Sequence, residues 1–136
     1  MTHPADSVGS DMHIVYAALS KNSFYAWQHI TRHALLLGYV PIIPFRVFDY
    51  YVGDSVDRDL VRKGNNSLVE SLAELWVYGE VSDGVHSEIQ RAGRAGKKIR
   101  YWDITDVRDI RELDIDESPV LEHGFEEPKG PQIDHP

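Results

Sequence analysis

The stretch SDGVHSEIQRAG, residues 82–93, places a carboxylate where a core-facing side chain is expected. After Ser82, Asp83 and Gly84 the residues follow a helical period, with Val85, Ile89 and Ala92 recurring on one face. Glu88 follows Val85 by three residues and precedes Ala92 by four, so it projects on or beside that face. On an ordinary surface helix such a glutamate pairs with Arg91 or caps the helix start. In an α/β sheet it could instead point back into a crevice, where the nearby helix N-terminus favours its charged form.

Other residues of chemical interest lie near the ends of apolar runs. Tyr16 closes a β-branched and aromatic run and can orient Glu88 by a hydrogen bond, stack on a ring, or simply fill the core. Ser20 and Asn22 follow, as binders of a hydroxyl or phosphate at a helix start or as plain helix caps. Gly84 keeps the turn before the Glu88 helix slim, so that a ligand can approach the backbone. His86 adjoins the same region as a possible acid–base group. His29 and His33 have the i, i+4 spacing of a metal pair, but HITRH lacks the glutamate of the zinc-protease motif. GRAGKK lacks the spacing of a phosphate loop and a preceding strand. The chemistry is therefore expected to need no metal and no cofactor.

The elements that must position these groups alternate. MHIVYAAL (12–19) reads as a buried strand. Residues 23–37 read as a helix with Trp27, Ile30, Ala34 and Leu37 on one stripe and Gly38 to stop it. YVPIIPF (39–45) is a short or edge strand because of its prolines. RVFDYYVGDS is an aromatic loop suited to line a cleft. A helical segment runs from about Val56 to Leu72, with Gly64, Asn65 and Asn66 as a predicted break. AELWVYGE (73–80) is a third strand, the Glu88 helix follows, and KKIRYWD (97–103) is a fourth strand. This alternation predicts an α/β fold, a Rossmann-like or flavodoxin-like open parallel sheet of four to five strands with helices on both faces. In such sheets ligands bind beyond the carboxyl ends of the strands, where ALSKNS and GEVSDG would meet. Residues 104–115 fit a short helix or an extended arm.

The chain has 136 residues, no cysteine and a net charge of −8. Disulfide and thiolate chemistry are excluded. The charge is uneven: residues 103–136 carry eleven acidic and three basic residues, and the body before them is balanced. No basic stripe suits nucleic acid, and no apolar run approaches the roughly 20 residues of a membrane span. The opening MTHPADSVGSD lacks the charged and apolar regions of a signal peptide, so a cytoplasmic location is expected. The expected organisation is a flexible N-terminus (1–11), one domain (12–115) and an acidic, proline-rich solvated tail (116–136).

The block AELWVYGEVSDGVHSEIQRAGRAGKKIRYW resembles the C-terminal half of the nucleoside 2-deoxyribosyltransferase-like superfamily, in particular a small branch found in bacteria and phages. ELWVYG, SDGV, Glu88 and GKKIRYW stand where that branch has ELWVFG, SEGM, a helical glutamate and GKPIRYF. IVYAALSKNS and ALLLGYVPIIPF fit its first half, so the resemblance covers roughly residues 12–102. It implies that Glu88 attacks the anomeric carbon of a deoxyribose, that the base departs, and that another base or water takes the sugar from a glycosyl ester. The substrate would be a nucleoside or nucleotide, bound by Ser20, Asn22, Asn65, Ser82, Asp83 and Gly84, with Tyr16 assisting Glu88. It also implies a homo-oligomer, a dimer or larger. Asn65 stands where the characterised enzymes commonly have an aspartate, and an amide cannot serve as an acid at neutral pH. That departure keeps open a nucleotide-binding module without turnover, and the acidic tail keeps open an accessory protein that binds a partner.

Overall fold

A computed structural model of the chain describes residues 3–48, 55–114 and 116–125. Strand β1 (His13–Ala18) is followed by a 3-10 segment (Lys21–Ala26) that leads into helix α1 (Trp27–Leu36). Strand β2 (Tyr39–Ile42), the short helix α2 (Pro44–Val47) and helix α3 (Arg58–Ser71) come next. Strand β3 (Glu74–Tyr78), helix α4 (Asp83–Arg94), strand β4 (Lys98–Asp103) and the two-residue strand β5 (Arg111–Glu112) complete the fold. The sheet order is β2-β1-β3-β4-β5, open at both edges, with the first four strands parallel. This is the predicted α/β architecture. β5 runs antiparallel to β4, because residues 104–110 are too few for the crossover that a parallel strand needs.

The period-2 alternation of strands sorts the core into two layers. Val15, Ala17, Trp76, Tyr78 and Trp102 face α1, together with Ile30 and Ala34 from that helix. Tyr16, Ala18, Leu75 and Val77 face the other way, against Val69 of α3 and Val85 and Ala92 of α4. The helices thus cover both faces. α1 ends where predicted, at Gly38, whose φ of 90° is the left-handed cap that a side chain would strain.

Three local expectations change. The segment around Gly64 does not break: α3 is continuous. The glycine serves packing instead, since a Cβ there would lie 2.9 Å from Cζ of Phe48, whose ring rests on the helix. Of the two readings of residues 104–115 the described residues do not take the helix: 105–109 make bends and turns, and Arg111–Glu112 are extended as β5, paired to β4. The predicted tail is also docked through residue 125. The Val81 N–H donates to the Val120 carbonyl (2.8 Å), the Glu122 N–H to the Val81 carbonyl (2.8 Å), and Phe125 packs on the α3/α4 layer. Phe125 is the apolar residue this acidic stretch packs against the domain, while Val120 and Leu121 stay exposed and dock through the backbone. The predicted aromatic loop lies largely outside the described residues, at 49–54, as do 126–136 of the predicted tail. No helix among the described residues is long and apolar enough to cross a membrane.

Candidate functional site

β1 and β3 are neighbours, while the chain leaves β1 in the opposite direction to form β2, so the strand order reverses between them. This is the switch point where open α/β sheets bind ligands. Tyr16 lies here, fully buried. It is the fourth of six residues of β1 rather than its last, so the ring starts inside the sheet and its hydroxyl reaches outward. That hydroxyl donates to Oε2 of Glu88. The sequence alternative for Glu88 is thereby resolved: Arg91 pairs with Glu70 of α3, and Glu88 turns to Tyr16.

Burial pushes the Glu88 carboxyl up to about 7, against the opposing pull of the Tyr16 hydrogen bond. The expected help from the helix N-terminus does not prevail. Glu88 is the sixth residue of α4, beyond the first turn where that field is strong. Burial, and then the adjacent Glu88 carboxylate, push the Tyr16 phenol upward, so Tyr16 stays a neutral donor. The pair is therefore a desolvated carboxyl, close to half ionised at neutral pH, with its orientation fixed by a hydroxyl anchored in the central strand.

The other predicted site residues divide among distinct roles. Ser82 is the N-cap of α4, its Oγ accepting from the Val85 N–H at 3.2 Å, and Asp83 Oδ1 accepts from the Gly84 N–H at 2.7 Å. Gly84 has ordinary φ, and an added Cβ would meet only Ser82 Oγ, at 4.0 Å. Neither backbone nor packing demands glycine there. Ser20 occupies the cap position of the 3-10 segment without a side-chain cap bond. Its Oγ reaches instead to Oε1 of Glu80 at 3.4 Å. Asn22 Nδ2 donates to the same oxygen (3.2 Å) and to Oε1 of Glu122 (3.1 Å). Asn65 lies one turn before the buried Val69 on α3, and its buried Oδ1 has no hydrogen-bond partner among the described residues. His86 packs against the Phe125 ring at 5.6 Å. His33 directs Nδ1 to the Tyr78 hydroxyl (3.0 Å), while His29 is exposed, so the i, i+4 pair does not converge.

Sequence reasoning missed Glu80 and Glu122. Glu80 stands inside the GEVSDG loop that was expected to gather at the strand ends. Glu122 lies in the segment read as tail, and no local signal could bring it to Asn22. A cleft of about 410 Å³ opens beyond β3 and β4, lined by Asn22, Gly79, Glu80, Trp102, Arg111 and Val120 among others. Gly79 is required there: its φ is 82°, and a Cβ would lie 2.9 Å from Ile104. Of the predicted site residues only Asn22 lines this cleft; Ser20, Asn65, Ser82–Gly84 and Glu88 do not, so the expected single cleft is not reproduced by it.

A family model described as a domain of unknown function, DUF7768, matches residues 15–102, from within β1 to the penultimate residue of β4. The chain belongs to the DUF7768 family. No curated protein matches the sequence. The DUF7768 region contains Tyr16, Ser20, Asn22, Asn65, Glu80 and Glu88, whereas β5, Glu122 and the docked arm lie beyond it.

Proposed function

We propose that this DUF7768 domain acts on the N-glycosidic bond of nucleosides or nucleotides, by transfer or hydrolysis, with Glu88 as nucleophile. The observation that carries the reading is the Tyr16–Glu88 hydrogen bond: a desolvated carboxyl held by a fully buried tyrosine at the strand-order switch point. The resemblance to the nucleoside 2-deoxyribosyltransferase-like superfamily supplies the reaction class. In the first step a Glu88 carboxylate oxygen bonds to C1′ as the C1′–N bond breaks. The electron pair leaves with the base, which takes a proton from solvent. In the second step a new base or water attacks C1′ and releases Glu88, so two inversions give net retention. Tyr16 positions the carboxylate, and the orphaned Asn65 carbonyl would accept a hydrogen bond from a substrate hydroxyl or amine. The reaction needs no metal or cofactor. The enzyme would work in the cytoplasm as a homo-oligomer.

A second reading is a nucleotide-binding module without turnover. It is favoured by Asn65 in place of an acid and by a carboxyl that is only partly ionised at neutral pH.

Reverse-phase chromatography of nucleoside and nucleotide mixtures incubated with the full chain tests both. Base release or exchange should rise with pH through about 7, as Glu88 ionises. Glu88→Gln should lower it by roughly three orders of magnitude or more while leaving binding intact. Undiminished base release by Glu88→Gln would remove Glu88 from the chemistry. Binding without turnover in the wild type would establish the module.

A further inference from the structure

The cleft beyond β3 and β4 takes no part in the chemistry centred on Glu88, and its lining is incompletely bonded. Ser23 lines it and is only 5% exposed, yet its hydroxyl makes no hydrogen bond among the described residues. That oxygen lies 3.1 Å from where a Cβ of Gly79 would stand, so it borders the space that the glycine keeps open. Trp102 also lines the cleft and is 5% exposed, and its buried Nε1 has no partner among the described residues. Buried polar groups are ordinarily paired. Two unpaired donors beside one cavity call for a partner from within it.

Charge decides what kind of partner. Among the described lining residues the one cation is Arg111, and it is already engaged by Asp103 (3.5 Å) and Glu117 (3.0 Å). An anion such as phosphate therefore finds no free positive group. Glu80 makes no ion pair among the described residues. Its Oε1 accepts from the neutral groups of Ser20 and Asn22, and its Oε2 accepts nothing among them. Glu122 shares the Asn22 amide nitrogen, which brings a second carboxylate without an ion pair alongside Glu80. Two uncompensated like charges repel, and a cation beside them relieves the repulsion. No group of three metal-binding side chains exists among the described residues, so the cation this arrangement suits is organic. Ile104 and Val120 supply apolar walls, and Tyr25, 71% exposed, offers a ring face to a cation.

We propose that this cleft is a second ligand site, separate from Glu88, for a small organic cation. An ammonium or amidinium group sits on Glu80, a compact apolar body lies against Ile104 and Val120, and Ser23 and Trp102 donate to an acceptor on the ligand. This does not rest on the reaction proposed above. Benzamidinium, benzamide and benzoate share a ring and differ in head-group charge, so they serve as probes. Each is titrated into the full chain while the Trp102 indole N–H and the Gly79 and Val120 amides are followed by NMR. Benzamidinium should shift these resonances saturably, benzamide more weakly, and benzoate least, with benzamidinium binding falling as salt rises. Glu80→Gln keeps an acceptor for Ser20 and Asn22, so the fold should persist. It should lower benzamidinium affinity roughly tenfold and change that of benzamide little. Glu88→Gln should leave both unchanged. Absence of a saturable benzamidinium shift overturns the proposal. So does equal binding of all three probes, which would mark a merely apolar hollow, or benzamidinium binding indifferent to Glu80→Gln. Binding lost in Glu88→Gln but kept in Glu80→Gln would move the cation to the Glu88 crevice and overturn the second site.

Discussion

The two faces of the sheet carry similar parts with opposite consequences. On the α1 face, Tyr78 meets His33 beneath Trp76 and Trp102, with the His33 ring 4.5 Å from that of Trp102. On the α3/α4 face, Tyr16 meets Glu88. In each case a buried tyrosine, its phenol pushed upward chiefly by desolvation, holds a titratable partner. In each case burial drives that partner toward neutrality, lowering His33, with help from the Arg100 charge, and raising Glu88. A histidine is already neutral at pH 7, so the α1 face bears no penalty there. A carboxyl is ordinarily ionised at pH 7, so the α3/α4 face does. A fold that keeps a group at a standing cost has placed it where packing alone would not, and such positions are enriched in function.

The largest expected effect separates packing from chemistry. Trp76→Ala should cost about 3–5 kcal/mol in a urea titration, because it empties the centre of the α1 layer. The Glu88 titration, followed by carboxyl NMR, should stay in place, since Trp76 lies on the opposite face. A shift of the Glu88 midpoint in this variant would show that the two faces are coupled.

Glu88→Gln should act in the opposite sense. The folded-state value lies above the ordinary 4.5, so wild-type stability is full below about 4.5 and is lost as pH rises through about 7. The loss approaches about 3 kcal/mol. Denaturant midpoints of wild type and Glu88→Gln should therefore agree at pH 4 and diverge at pH 8, with the glutamine variant the more stable. Equal midpoints at pH 8 would mean that the carboxyl is not desolvated and that the contrast between the faces fails.

The smallest effect belongs to His33. Its folded value lies below the ordinary 6.5, so its contribution is full above that pH and is lost as pH falls. His33→Gln, made in the Glu88→Gln background so that fewer groups titrate, should flatten the fall of stability on the acid side. An unchanged slope of midpoint against pH would place His33 in a solvated setting.

Much of this arrangement is legible in the sequence because it is local. The period of two in ELWVYG and of about three to four in VHSEIQRA specify β3 and α4, and Gly38 and Ser82 mark where helices stop and start. The inward side of Glu88 follows from the same spacing. Its partner does not: Tyr16 is 72 residues away, and only the adjacency of β1 and β3 brings the hydroxyl beneath α4. Ser20 shows the same limit. Its type and position suggest a cap, yet a loop from another strand offers Glu80 and wins the hydrogen bond. Gly64 reads as a helix breaker, because its compensation is a ring from a distant segment.

The sequence by itself determined the alternation of elements, the open parallel sheet, the balance of charge and the candidate carboxylate, since each depends on residues within a few turns of one another or on composition. The tertiary structure decided that residues 116–125 return to pack on the domain, that β5 runs antiparallel, and that Glu88 is held by Tyr16 and pushed up to about 7. Desolvation is the sum of what every neighbouring element excludes from water, and that sum exists only once β1, α3 and α4 have come together.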